Sequence, residues 1–192
     1  MFNEISKAAD SVSSALSANA GAGDGLSAKG RYLVECRDAE GNLKWTHEED
    51  NLVVNVGLKD MNDKYFAGSS YSAVWYLGLI TGPGVTTNAA DTMSSHAGWT
   101  EFTGYSQSTR PTATFGSATT ANPSVISNSG SPASFSINAT GTVGGAFLTT
   151  SNTKSGTTGT LFSEKAFSSP GDRSVVSGDT LTVTYTFSLT AT

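Results

Sequence analysis

Thr180-Leu181-Thr182-Val183-Thr184-Tyr185-Thr186-Phe187-Ser188-Leu189-Thr190 alternates without a break between apolar side chains and hydroxyls. In an extended chain, successive side chains point to opposite faces. One face of this stretch is therefore apolar and the other is a ladder of hydroxyls. That is the pattern of an antiparallel strand with one side on a core and one side in water. Ser177-Gly178-Asp179 ahead of it has turn chemistry.

A second stretch, Tyr71-Ser72-Ala73-Val74-Trp75-Tyr76-Leu77-Gly78-Leu79-Ile80-Thr81, is the longest uncharged, strongly apolar run in the chain. As a strand it would put Ala73, Trp75, Leu77 and Leu79 on one face and Val74, Tyr76 and Ile80 on the other. Both faces are apolar, which suits a strand covered on both sides and central to the fold. A buried helix is the rival reading; Gly78 and the closing Gly82-Pro83-Gly84 favour a short strand.

Between and around these two stretches the signals are short and regular. Residues 31–36 alternate as a strand and residues 43–46 as its partner. The intervening Asp38-Ala39-Glu40-Gly41-Asn42 has the composition of a hairpin turn. Asn51-Leu52-Val53-Val54-Asn55 reads as another extended piece or as the lead-in to a helix. Residues 56–67 fit a helix, with Leu58, Met61, Tyr65 and Phe66 toward one side and Gly68 as its stop. Residues 88–96 read as a loop with one helical turn. Trp99, Phe102 and Tyr105 follow as an aromatic cluster over the central strand. Residues 111–115, 124–126, 133–138, 143–149 and 161–167 are further short strands. Many such strands, broken by Gly, Pro, Ser and Asn, indicate a mainly β, antiparallel β-sandwich or jelly-roll-like domain with one or two short helices.

Residues 2–18 differ from the rest. Phe2, Ile5, Ala8, Ala9, Val12 and Leu16 recur at spacings of mostly three or four, the pattern of a short amphipathic helix. Asn19-Ala20-Gly21-Ala22-Gly23-Asp24-Gly25 is a linker by composition. The expected division is an N-terminal helical arm and linker over residues 1–30 and a sandwich over residues 31–192. A helix of this length lacks intrinsic stability. It is either an arm for a partner, presenting Phe2, Ile5, Val12 and Leu16, or a frayed terminus.

Composition narrows the function. With 192 residues, 37% hydrophobic, the chain is long and apolar enough for a packed core. Eleven basic against sixteen acidic residues give a net charge of -5, which argues against nucleic acid as a partner. No run reaches the roughly 18 apolar residues of a membrane span, and Glu4 and Asp10 do not fit a signal peptide. Cys36 is the only cysteine, so neither an internal disulfide nor a cysteine-based zinc site is available.

Candidate chemistry is sparse. His47, in Thr46-His47-Glu48-Glu49-Asp50, has no second histidine four residues on, and a solvated charged loop is the expectation. His96 could activate a hydroxyl, but G-x-S-x-G is absent. Gly21-Ala22-Gly23-Asp24-Gly25 lacks the preceding strand and the Lys-Ser/Thr ending of a phosphate loop. Asn138-Ala139-Thr140 matches the glycosylation triplet, which is common by chance. No catalytic, cofactor-binding or metal-binding residue is assigned. Trp99, Phe102 and Tyr105 read as core first and as a sugar-stacking platform second.

The order and spacing of several pieces carry a resemblance. They are Gly41-Asn42-Leu43-Lys44-Trp45, Asn51-Leu52-Val53, Trp75-Tyr76-Leu77-Gly78-Leu79 and Ala89-Ala90-Asp91-Thr92. They continue with His96-Ala97-Gly98-Trp99-Thr100-Glu101, Tyr105 and Gly178-Asp179-Thr180-Leu181-Thr182-Val183-Thr184-Tyr185. Taken together, residues 31–190 resemble virion structural proteins of tailed bacteriophages. The resemblance implies a non-enzymatic particle component located in the virion, with capsid decoration or cementing as the expected role. Its partners would be the major capsid protein or other virion proteins, and further copies of itself as a homo-oligomer. A neck, tail or fibre protein of the same particle is one alternative. A carbohydrate-binding β-sandwich module is the other.

Overall fold

The computed structural model describes residues 25–68 and 74–191. The expected arm, with Phe2, Ile5, Val12 and Leu16, lies outside the described residues. So do residues 71–73 of the apolar run.

Two antiparallel sheets face each other. The first holds β1 (Leu26–Arg37), β2 (Leu43–Asp50), β6 (Ser124–Ser127), β7 (Ala133–Ser136) and β11 (Thr180–Ala191). Its axis is β11, which pairs along its whole length with β1, from Leu26↔Ala191 to Arg37↔Thr180. On its other side β11 takes β7 and then β6. The second sheet holds β3 (Leu52–Val53), β4 (Tyr76–Thr81), β5 (Glu101–Phe102), β8 (Gly141–Thr149), β9 (Leu161–Ala166) and β10 (Arg173–Val175). The antiparallel sandwich expected from the alternating stretches is what forms.

The alternation of the last strand has the anticipated outcome over its first half. Leu181, Val183 and Tyr185 are buried between the sheets, and the threonines between them lie on the outer face. They meet Tyr32, Val34 and Cys36 of β1 and Phe135 of β7 in the main core. Leu77 and Leu79 of β4, Ala146 and Leu148 of β8 and Phe162 of β9 fill it from the opposite sheet.

The second sheet is covered on its outer face too, by a smaller core of Val54, Ile80, Met93, Trp99, Phe147 and Leu161. This explains why the Tyr76–Thr81 strand is apolar on both faces: Leu77 and Leu79 point inward, Ile80 outward. It is not the central strand, however. That place belongs to β8, which is flanked by β4 on one side and by β9 and β10 on the other. Its residues from Val143 to Thr149 are buried on both faces. Two bulges tune which side chains enter the core. One sits at Gly144, where the β4 register jumps from Gly145 to Val143 and Val143 turns inward. The other sits at Phe162, where the register with β8 jumps from Ser163 to Leu161. Phe162 and Ser163 both enter the interior as a result, and Leu161 and Glu164 face the outer core.

Several expectations are corrected. The first strand begins at Leu26, not residue 31, because β11 is long enough to pair with every residue back to that point. Residues 46–50 are not a loop but the second half of β2, paired with β1. Residues 111–115 form no strand; one isolated bridge, Tyr76↔Thr112, is all that joins them to β4. Residues 88–96 contain turns and a Thr92↔Ser95 bridge in place of a helical turn. The strand at residue 133 stops at Ser136, short of Asn138. The two-residue β5 and three-residue β10 were too short to leave a periodic signal.

The helix α1 (Asn55–Phe66) is the single helix among the described residues, and Gly68, at φ 65°, ends it. Of its expected apolar face, Met61 is half-buried against the main core, whereas Leu58, Tyr65 and Phe66 are exposed. Gly57 is its one fully buried residue and marks the contact with β9. A Cβ at Gly57 would lie 2.3 Å from the Phe162 carbonyl oxygen. Gly57→Ala is therefore expected to destabilise the protein. The gain in helix propensity is about 1 kcal/mol, whereas forcing helix from strand costs about 1–3 kcal/mol. Chemical denaturation should show a net loss; a net gain would mean that α1 can slide without cost.

Candidate interaction groove

Where β11 passes Tyr185 the sandwich thins, and beyond Phe187 it runs out of partner. Phe187 and Leu189 keep the inward parity of Leu181, Val183 and Tyr185 but are only half-buried. Across the pairing, Gly30 lies opposite Phe187, Ala28 opposite Leu189, and Leu26 opposite Ala191. The inner face of the first sheet thus continues past the second sheet as an apolar strip. A ladder of edge-to-face rings closes the core at this end, with Trp75 5.3 Å from Phe162 and Phe162 5.5 Å from Phe187.

The helix α1 stands over the same opening. Between it and the strip lies a groove of about 430 Å3, its apolar lining made by Leu26, Met61, Tyr65, Phe66, Trp75 and Leu189. Asp60, Asn62 and Lys64 form its polar rim. Tyr65 is 83% exposed, Phe66 79% and Leu26 70%, and the two aromatic rings of α1 pack edge to face on each other at 4.9 Å. A side chain of this size contributes about 1.5–3 kcal/mol when fully buried. Contiguous exposure of this kind marks an interaction surface more often than a scatter of single residues does.

The polar groups in the interior are committed to holding the sandwich together. Tyr32 and Tyr185 bridge the sheets: Tyr32 Oη lies 2.7 Å from Ser163 Oγ, and Asn51 Nδ2 donates to Tyr185 Oη at 2.7 Å. Burial pushes both phenols up from their ordinary value. Arg110, 1% exposed, makes a two-pronged ion pair with Glu101, at 3.0 Å from Nε and 2.9 Å from Nη2. It also donates to the carbonyls of Ser151 and Gly156 at 2.9 and 3.1 Å. Lys154 sits 3.8 Å from the Tyr105 ring centroid and donates to the Tyr105 carbonyl at 2.8 Å. Loop 150–160 is thereby pinned to residues 101–110.

On the outer face of the second sheet Glu164 is fully buried. It accepts the backbone N–H of Asn88 at 3.0 Å and the indole N–H of Trp99 at 2.7 Å. Burial pushes its carboxyl up to about 8, with neighbouring Asp91 adding to the rise. Asp91 Oδ2 is buried and has no hydrogen-bond partner among the described residues.

The candidate residues read from the sequence fall into place as follows. His47 is buried in β2, 4.3 Å from the Phe167 ring and 3.3 Å from Glu49. Glu48 and Asp50 point the other way and pair with Arg31. His96 stacks on Trp99 at 3.8 Å and donates from Nδ1 to the Trp99 carbonyl at 3.0 Å. The carbonyl can only accept, so Nδ1 carries the proton. Trp99, Phe102 and Tyr105 are 6%, 7% and 1% exposed and belong to two different cores. They form neither one cluster nor a platform on which a sugar could stack. Cys36 is buried beside Asp179, and burial pushes its thiol up to about 12. Among the described residues no group of three or more acidic, histidine or cysteine side chains could hold a metal ion. No described helix is long and apolar enough to cross a membrane.

Reading the residues in order missed the groove because its parts come from four separate segments. The signal that could have found it is parity. Leu26 and Ala28 share the face of Tyr32, and Leu189 shares that of Tyr185, beyond the point where a second sheet can reach. No family model, no curated protein and no solved structure matches the chain.

Proposed function

We propose that this protein is a structural component of a bacteriophage particle, a capsid decoration or cement protein. In this reading it binds the outer shell and bridges neighbouring subunits. The resemblance of residues 31–190 to virion structural proteins supplies the particle. The observation that carries an assembly role is the apolar groove beside α1, which exposes Leu26, Tyr65 and Phe66 together. Committed interior polar groups fit the same reading, since Arg110, Glu101, Glu164 and Tyr185 are occupied in holding loops and sheets. The partners are the major capsid protein or other virion proteins and further copies of the chain. A net charge of -5 makes nucleic acid a poor partner.

Copy number in a purified particle tests this, because symmetry fixes how many equivalent sites exist. Quantitative mass spectrometry against the major shell protein should count on the order of hundreds of chains per particle. About a dozen or fewer would instead support a neck, tail or fibre position. Absence from the particle would overturn both.

A further inference from the structure

The groove lies where the described chain begins. Leu26 lines it and is also the residue to which the N-terminal segment is attached. We propose that the groove is the docking site for residues 2–16 of the same chain. Phe2, Ile5, Val12 and Leu16 would cover Met61, Tyr65, Phe66 and Leu189.

Chemistry, length and attachment point all favour this occupant. The lining is apolar with a thin polar rim, and residues 2–16 carry an apolar stripe at helical spacing with Glu4, Lys7 and Asp10 off it. As a helix those fifteen residues would extend about 22 Å, at 1.5 Å each. Residues 17–25 separate Leu16 from Leu26. Nine residues reach at most about 30 Å, and Gly21, Gly23 and Gly25 let the chain reverse. The segment can therefore turn back and lie along α1.

Tethering decides between this chain and a second copy. A short flexible linker holds its segment at an effective concentration on the order of mM. A second copy in dilute solution supplies about a thousandfold less. The pairing also serves both elements. A short isolated helix is marginal until its apolar face is packed, and α1, though it sets Val56 and Met61 against the cores, leaves Leu58, Tyr65 and Phe66 exposed. This inference concerns the free protein; because it fills the groove on which the assembly reading rests, the segment would have to leave the groove before a shell protein could occupy it.

Hydrogen exchange on the full chain, at about 1 µM so that contact between copies is negligible, tests it. The comparison is with the full-length quadruple variant Phe2→Asp, Ile5→Asp, Val12→Asp, Leu16→Asp. With about 1 mM effective concentration and about 0.1 mM affinity for the bare segment, amides of residues 58–66 should exchange about tenfold faster in the variant. A synthetic peptide of residues 1–20, added at about 1 mM, should restore the slower exchange. Leu189→Asp, which leaves both α1 and the segment unaltered, should give the same acceleration. Equal exchange in wild type and quadruple variant would overturn the proposal. Protection that rises with protein concentration would also overturn it, by placing a second copy in the groove.

Discussion

Replacing Arg110 with alanine is expected to cost about 3–5 kcal/mol of folding stability, the usual penalty for removing one partner of a buried ion pair. Glu101 would keep only the backbone N–H of Ser155 at 2.6 Å and the Tyr105 hydroxyl at 3.3 Å as donors. A carboxylate desolvated against two donors lacks the counter-charge that made burial tolerable. The carbonyls of Ser151 and Gly156 would lose their donor at the same time. Chemical denaturation measures the loss. The control is Arg110→Met combined with Glu101→Leu, which removes both charges and retains volume. It should recover most of the stability, because apolar replacement of a whole buried pair is often neutral or better. A single-site loss below about 1 kcal/mol would show that the pair is as weak as a surface one.

The second large effect is a dependence of stability on pH that runs opposite to the usual acid denaturation. The folded protein holds the Glu164 proton up to about 8, whereas the ordinary value is 4.5. Below pH 4.5 both states carry the proton and the contribution is fully present. Between about 4.5 and 8 the unfolded chain releases it and the folded protein does not. Stability therefore falls by up to about 1.4 kcal/mol per pH unit, and the contribution is gone above 8. The whole span is on the order of 4 kcal/mol, or roughly 10 °C in Tm for a chain of this size.

Other carboxyls slope the other way. Burial alone would raise Glu49 and Asp179, but hydrogen bonds from Ser168 and Lys44 outweigh it and hold both below their ordinary value. Their contribution is lost as pH falls through the acid range. Maximal stability is expected near pH 5, between the two slopes. Glu164→Gln should abolish the decline from pH 5 to 8. It should also carry a constant penalty, because an amide nitrogen cannot accept the N–H of Trp99 or Asn88. A wild-type Tm that stays flat from pH 5 to 8 would show that folded Glu164 does not hold its proton across that range.

The two groups with the largest expected effects, Arg110 and Glu164, left no mark in the sequence. Each is one charged residue in a polar or mixed stretch, and charge in such places usually faces water. What buries Arg110 is the convergence of loops 100–110 and 150–160, whose closeness depends on β4, β5 and β8 pairing correctly. What buries Glu164 is the loop 85–99 folding across the outer face of the second sheet. The histidines follow the same logic. His47 belongs to a run that reads as solvated, yet it turns inward because β2 continues to Asp50 alongside β1.

The local decisions were legible in the residues themselves. Alternation at period two placed the last strand, its buried Leu181, Val183 and Tyr185, and the hydroxyl row on the outer face. Asp38 to Asn42 specified the first turn, and Gly68 specified the end of α1. Strict alternation is local information, since a strand must turn every second side chain to one face whatever surrounds it. Burial is not local. Phe187 and Leu189 carry the same pattern as Leu181 and Val183, but Phe187 meets the opposing sheet only at its edge, through Phe162, and Leu189 lies beyond it. Leu58, Met61, Tyr65 and Phe66 look like a core-facing helix stripe, yet only Met61 packs against the core, and α1 meets the sheet most closely through Gly57, where there is no side chain. Whether an apolar side chain enters the core or lines a groove depends on which other element reaches it. That is settled only when the two sheets and the helix have packed.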